Sequence, residues 1–438
     1  MSNDIASVRF RAASPAQTTV RSELPRWPFM TLFALFPLWW VLGPGDMAWI
    51  PIGFVMALYM WRRGGIEVPR SFALWLMFLL LMVVSVIGID SPGRLLGFFY
   101  RAAQYVTFSI VFLYVYNARE RLTAQYVLGT LTLFWVWTVI GGYASIAFPS
   151  FSFSTLLSHV LPQGLLSNEL VSEMATRRLT QHKPDGWLDL APRPSAPFLY
   201  TNSWGNVYSM LLPVAMCYAH MVWGSRRALL VAVLVPLSLV PAVLSLNRGM
   251  FLGLGVAFGF IMVMALLGRQ RRLILGLTGV VLLLAGGAVA LDAGGRIEDR
   301  TEVSSTAEHR ASLYEETFER TLDSPLLGYG APRPSEHEGY PSAGTQGQIW
   351  TVMFSHGFPA LVLFLAWLSW SLFASIQVRD PRRIVVTSVL AVILVESAYY
   401  GVATNGLILS MSVAALLMRP SSGAEERRRS EVTRSARG

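Results

Sequence analysis

The apolar residues of this chain come in runs of about 17–25, the length a helix needs to cross a ~30 Å hydrocarbon core. That spacing leaves few folds open. Lipid satisfies no backbone N–H or C=O, so runs of this kind must be helices that close their own hydrogen bonds. Of the 438 residues, 53% are hydrophobic and 14% charged, against about 25% charged in an ordinary soluble protein. A soluble enzyme and a disordered chain are both excluded. The expected fold class is all-α, a polytopic integral membrane protein.

Twelve spans are expected, near 29–43, 47–61, 71–89, 95–116, 125–147, 203–223, 228–246, 249–268, 273–291, 348–376, 384–400 and 402–418. Arginines orient them. With the N-terminus inside, the short inner loops hold thirteen arginines (62, 63, 70, 119, 121, 226, 227, 269, 271, 272, 379, 382 and 383). The short outer loops hold two, Arg94 and Arg248. Basic residues collect on the cytoplasmic side, so both termini are placed inside. The implied organisation is a cytoplasmic tail (1–28), five helices (29–147), an extracytoplasmic loop (148–202), four helices (203–291), a large extracytoplasmic loop (292–347), three helices (348–418) and a basic cytoplasmic tail (419–438). The net charge of +9 is then topological and gives no support for nucleic-acid binding. Against that sign, the 292–347 loop carries 11 acidic residues and 5 arginines.

Cys217 is the single cysteine, so no intramolecular disulfide and no cysteine metal cluster can form. There is no H-E-x-x-H, no P-loop and no G-x-G-x-x-G, so no metal, nucleotide or other cofactor is expected.

Four arginines escape the positive-inside explanation. Arg248 sits in Ser245-Leu246-Asn247-Arg248-Gly249 at the outer ends of two spans. A guanidinium there suits a phosphate, which it grips with two parallel hydrogen bonds; a snorkelling interfacial arginine is the plainer alternative. Arg94 and Arg101 lie seven residues apart, hence on one helix face. Arg101 falls below the interface, where an arginine faces a cavity or a partner. Glu396 is the ion-pair alternative for it. Arg310 lies in the one clear helix of the large loop. That helix begins at the capping box Ser305-Thr306-Ala307-Glu308, continues along the stripe Ala307, Ala311, Tyr314, Phe318 and Leu322, and stops at Asp323-Ser324-Pro325.

Three stretches together resemble the O-antigen ligase and polymerase family, over roughly residues 193–370. Pro197-Phe198-Leu199-Tyr200-Thr201-Asn202-Ser203-Trp204-Gly205-Asn206 is similar to that family's G-x-F-x-N-x-N stretch, with Asn202 or Asn206 in the asparagine role. Ser245 to Gly249 is similar to S-x-S-R-G. The segment from Arg310 through Tyr314 to Ser324-Pro325-Leu326-Leu327-Gly328-Tyr329-Gly330 resembles R-x-x-x-W followed by N-P-L-x-G-x-G. The first five spans match in hydropathy alone.

The resemblance implies a metal-independent glycosyltransferase of the bacterial cytoplasmic (inner) membrane, acting on a polyprenyl-diphosphate-linked oligosaccharide at the outer face. Its partners would be that lipid-linked glycan, a glycan or lipid acceptor hydroxyl, and membrane lipids. The products would be surface polysaccharide such as O-antigen or exopolysaccharide. Arg248 and Arg310 would stabilise charge on the leaving diphosphate, with Arg94, Arg101, Asn202, Asn206 and Tyr329 binding substrate. The family's histidine before the next span is absent: its position falls on Gln346, and glutamine is no general base. Gln346 would then contact substrate, and either the base would be His337, Glu336 or Glu338, or base catalysis matters less here. Ligase and polymerase share these features, with the missing histidine tipping the balance slightly towards polymerase. A lipid-linked glycan flippase or transporter is the alternative from another class, and a non-catalytic assembly partner a third; no internal repeat supports transport.

Overall fold

A computed structural model describes residues 23–166, 169–181, 192–292, 295, 306–337 and 339–420. The chain is mostly helical, and each of the twelve apolar runs contains helix. In order these are α1 (Trp27–Ala34), α2 (Phe36–Leu42), α3 (Trp49–Arg63), α4 (Phe72–Val84), α5 (Pro92–Asn117) and α6 (Ala124–Ala147). Short α7 (Leu156–Val160), α8 (Gln163–Leu166) and α9 (Glu169–Ala175) follow. Then come α10 (Thr201–Met221), α11 (Arg226–Leu237), α12 (Leu239–Leu244), α13 (Arg248–Leu267), α14 (Arg271–Ala290), α15 (Thr306–Leu322), α16 (Gln348–Ser375), α17 (Pro381–Glu396) and α18 (Gly406–Leu417). Six helices, with α11 and α12 taken as one, are long and apolar enough to cross a membrane; the bent pair formed by α2 and Gly45–Arg63 would make a seventh.

The observed elements depart from expectation at four places. The first run is two helices, because Pro37 gives no N–H and its ring crowds the carbonyl of the turn before it. Across Gly43-Pro44-Gly45 the chain then bends by 116°. The 148–202 segment includes a small two-stranded antiparallel sheet, β1 (Ser152–Ser154) with β2 (Thr176–Arg178), pairing Phe153 with Arg177. Between α17 and α18 the connection is residues 397–405 rather than a minimal turn, because Ser397, Thr404 and Asn405 give the run polar groups that the helices do not continue through.

The fourth concerns α15. Its ends agree with the capping and stop signals, although Ser305 lies outside the described residues. Its buried side, however, is Leu313, Glu316, Thr317 and Thr321, while Phe318 and Leu322 of the apolar stripe are exposed. The polar side is buried because it builds the next loop. Glu316 accepts from Arg320, from Ser335 Oγ and from the Glu336 N–H, and Thr317 Oγ1 accepts from the Gly344 N–H. Burial opposes ionisation of Glu316, but those hydrogen bonds and the Arg320 charge outweigh it and hold its pKa below the usual 4.5. A depressed carboxyl pKa stabilises the folded loop above the unfolded value and loses that effect as pH falls through the lowered one. Protease cleavage within 333–344 should therefore rise as pH drops below 4.5, and Glu316→Gln should show raised cleavage at neutral pH with little further change on acidification.

Helix α10 sits at the centre, packed on α6, α13 and α17. Being wrapped by protein, it can carry Thr201, Asn206, Tyr208 and Ser209 among its buried residues. The opposite case is α14, apolar along most of its length with Leu277 its one buried residue among those described; such a helix is stable only against apolar surroundings rather than water.

Hydrogen bonds sort the helix ends into two groups. At one end Arg63 reaches the Asn117 carbonyl, Arg119 pairs with Glu67, Arg383 donates to Leu417 O and Arg419 to Leu122 O. The other end gathers the motif-bearing segments.

Candidate functional site

The site is built around a break in α16. Pro359 has no N–H for the Ser355 carbonyl, and Gly357 takes φ 81°, so the helix opens there. The freed carbonyls of Phe354 and Ser355 accept from the N–H groups of Tyr329 (3.0 Å) and Gly330 (2.7 Å), while the Phe358 N–H donates to Pro325 O (2.8 Å). The Pro325–Gly330 motif is thus the turn that repairs this break. Gly328 has φ +62°, and a Cβ there would lie 2.5 Å from Phe354 O.

Arg94 clamps the same turn from α5. It donates to the carbonyls of Tyr329 (2.6 Å), Ala331 (2.7 Å) and Pro332 (3.1 Å) and pairs with Asp90. Asp90 also pairs with Arg333 at 2.8 Å. The Arg94 hydrogen bond and the two guanidinium charges hold Asp90 below the usual carboxylate range. The Arg333 guanidinium lies 4.0 Å over the Tyr329 ring, and Tyr329 Oη donates to Arg320 O. Arg94 and Tyr329 are therefore committed to protein contacts that fix the loop.

The segments that carry Arg248 and Arg310 are joined by a ladder of contacts between their neighbours. Arg310 lies one turn before Tyr314, whose ring stacks on Trp350 with centroids 4.4 Å apart and an 11° interplanar angle. Trp350 Nε1 donates to Ala398 O (3.0 Å). Next in the chain, Tyr399 donates to Gly249 O (3.0 Å), beside Arg248. A Cβ on Gly249 would meet Tyr400 Oη at 2.6 Å, so the glycine after Arg248 is what lets this turn approach. Arg248 opens α13, is exposed, and has no ion pair or hydrogen bond among the described residues. Arg310 is half-buried.

The remaining candidates separate. Asn202, half-buried, is in the first turn of α10. Asn206 is buried and donates to Glu396, which also accepts from Ser209 (2.6 Å); Glu396 is thereby held by α10 rather than by Arg101. Arg101, half-buried, makes no ion pair among the described residues and lies within electrostatic reach of His356. His356 Nδ1 shares a 2.7 Å hydrogen bond with Ser85 Oγ. Gln346 is in the turn before α16, half-buried. His337 is exposed on the loop, its ring near Tyr340. Glu338 lies outside the described residues.

Sequence reasoning passed over Gln348, Asn247, Tyr399 and Tyr400, which tie the blocks together. Gln348 Nε2 donates to Tyr105 Oη (2.7 Å), and its Oε1 accepts from the Ala403 N–H (3.0 Å). Tyr400 Oη donates to Asn247 Oδ1, and Asn247 Nδ2 donates to Thr201 O (3.1 Å). The signal was the polar stretch 396–405 inside an apolar region, hidden when the two runs are read as nearly continuous.

Residues 230–365 match the family model described as O-Antigen ligase. The match supports an O-antigen ligase-like family and, with it, glycan transfer of that type in surface-polysaccharide assembly. It covers the Arg248 and Arg310–Gly330 blocks and leaves the 197–206 block outside. No curated protein matches the chain.

Proposed function

We propose that this O-antigen ligase-like chain transfers glycan from a polyprenyl diphosphate to an acceptor hydroxyl at the outer face of the bacterial inner membrane. Convergence carries the reading: Arg248 and Arg310 come from different motif blocks, and Tyr314, Trp350, Ala398 and Tyr399 bring them to one end of the bundle. The oxygen of the acceptor hydroxyl attacks the anomeric carbon. The bond from that carbon to the diphosphate oxygen breaks, and its electron pair leaves with the diphosphate. The acceptor proton passes to a base.

Diphosphate is already a good leaving group, so the demand is for fixed positive charge where negative charge develops. Arg248, lacking a partner among the described residues, is suited to grip it with two parallel bonds; Arg310 approaches from α15. Arg94 serves by holding the Tyr329–Pro332 turn, and Arg101 adds a cation further along α5. The exposed Phe318 and Leu322 would rest among acyl chains, keeping α15 at the interface.

The test uses purified protein in detergent with lipid-linked oligosaccharide and acceptor. Transfer without a sealed membrane is the expected result. Activity confined to vesicles would replace the enzyme with a transporter. In a deletion strain, accumulated single repeat units mark a polymerase, and accumulated long chains a ligase.

A further inference from the structure

A recess opens at the same end of the bundle, between the α2–α3 turn, α5, β2, the start of α10 and the α17–α18 connection. Its inner space is about 80 Å³ and opens to solvent at its mouth, so it would hold one edge or face of a ligand rather than enclose it. Asp46, Tyr100, Arg177 and Asn405 supply polar walls, and Trp40 and Phe198 apolar ones.

These polar groups are under-used. Asp46 Oδ2 accepts from Tyr100 Oη and Gln104 Nε2 at 3.4 Å each, long for hydrogen bonds. Arg177, 3% exposed, gives Nη2 to Gly43 O at 2.6 Å, but its Nε has no partner among the described residues. The same is true of Asn405 Oδ1, on a residue 4% exposed, and of Trp40 Nε1. Buried polar atoms are rarely left so, and three residues from different sides of the recess share the condition.

The charges decide the ligand class. Asp46 and Arg177 feel each other without closing into an ion pair, so the recess carries one charge of each sign. That balance disfavours a diphosphate, which Arg248, without a partner among the described residues, suits better. It favours a neutral ligand with donors and acceptors along its edge and apolar faces for Trp40 and Phe198. A pyranose ring has that form.

We propose that this recess is a carbohydrate subsite holding one neutral pyranose ring of the glycan or of the acceptor. The proposal rests on the glycan-transfer reading and fits its geometry. Tyr200 and Ser203 line the recess, while Thr201 O, between them, takes the hydrogen bond from Asn247, the residue before Arg248. A chain held by its diphosphate at Arg248, or the acceptor meeting it, would pass the recess.

Purified protein in detergent would be titrated with methyl glycosides of neutral hexoses and N-acetylhexosamines, followed by saturation-transfer NMR. At least one should bind saturably, near millimolar as expected for so small a ligand. Asp46→Asn keeps the side-chain shape and should weaken binding about tenfold or more, as should Asn405→Leu; Trp223→Ala at the other end should not. Thermal melting confirms that the variants fold. No binding across the panel, equal binding by both recess variants, or displacement of the sugar by inorganic diphosphate overturns the subsite. In turnover, a raised KM for the donor or for the acceptor identifies whose ring is held. The binding arm needs no transfer, so the two readings fail separately. Loss of sugar binding with intact Arg248-dependent transfer removes the subsite alone, and sugar binding with no transfer at all removes the function alone.

Discussion

Arg248→Ala should lower the transfer rate by about 10²–10³, the usual loss when one preorganised donor to a developing anion is removed. The protein should remain inserted and melt as wild type, because Arg248 is exposed and supports nothing else among the described residues. Arg248→Lys should recover little: an ammonium keeps the charge but loses the planar fork that matches phosphate. Arg310→Ala should be comparable. If both guanidiniums grip one diphosphate, the double variant should lose less than the product of the two single losses, since groups acting as a unit are non-additive. Steady-state kinetics on detergent-solubilised protein would measure this. Wild-type turnover in Arg248→Ala would remove the arginine site and leave the family match without a mechanism.

Gly328→Val should damage the fold itself. The position has φ +62°, a region costing a residue with a Cβ about 1–2 kcal/mol, and more for a β-branched side chain. The added Cβ would also meet Phe354 O at 2.5 Å and His356 N at 2.6 Å, backbone that cannot turn aside. Overpacking of that kind adds about 1–3 kcal/mol. Beyond this, displacing the turn strips the Phe354 and Ser355 carbonyls of the donors that repair the α16 break. We expect a clearly lowered melting temperature in detergent and a poor yield, with Gly328→Ala intermediate. A wild-type melt for Gly328→Val would refute the docking account of this motif.

The two variants probe residues that read alike in the sequence, since both belong to motif blocks. Their difference comes from partners far off in the chain. Arg94 and Arg248 are both isolated arginines in outer turns, yet Arg94 spends its donors on carbonyls of residues 329, 331 and 332, and Arg248 spends none among the described residues. Asn206 carries a motif position, but its amide goes to Glu396, 190 residues away. Asp46 and Arg177 carried no motif at all: one is a lone acid in a turn between apolar helices, the other lies in a loop with balanced charge. The α15 stripe was legible as a periodicity. Which side it buried was not, because Glu316 and Thr317 are drawn inward by the 335–344 backbone they satisfy.

Run length and motif order are local properties, and from them alone the sequence determined a mostly helical chain suited to a membrane and, over roughly residues 193–370, a family resemblance that the match at residues 230–365 supports. Proline chemistry explains the breaks in the first run and in α16, which were each expected as one continuous span. Which polar groups are free for substrate was decided by the tertiary structure alone. A guanidinium or carboxylate has a fixed number of bonds to make, and whether another part of the chain has already claimed them depends on contacts between residues up to 304 positions apart. No local pattern encodes that pairing.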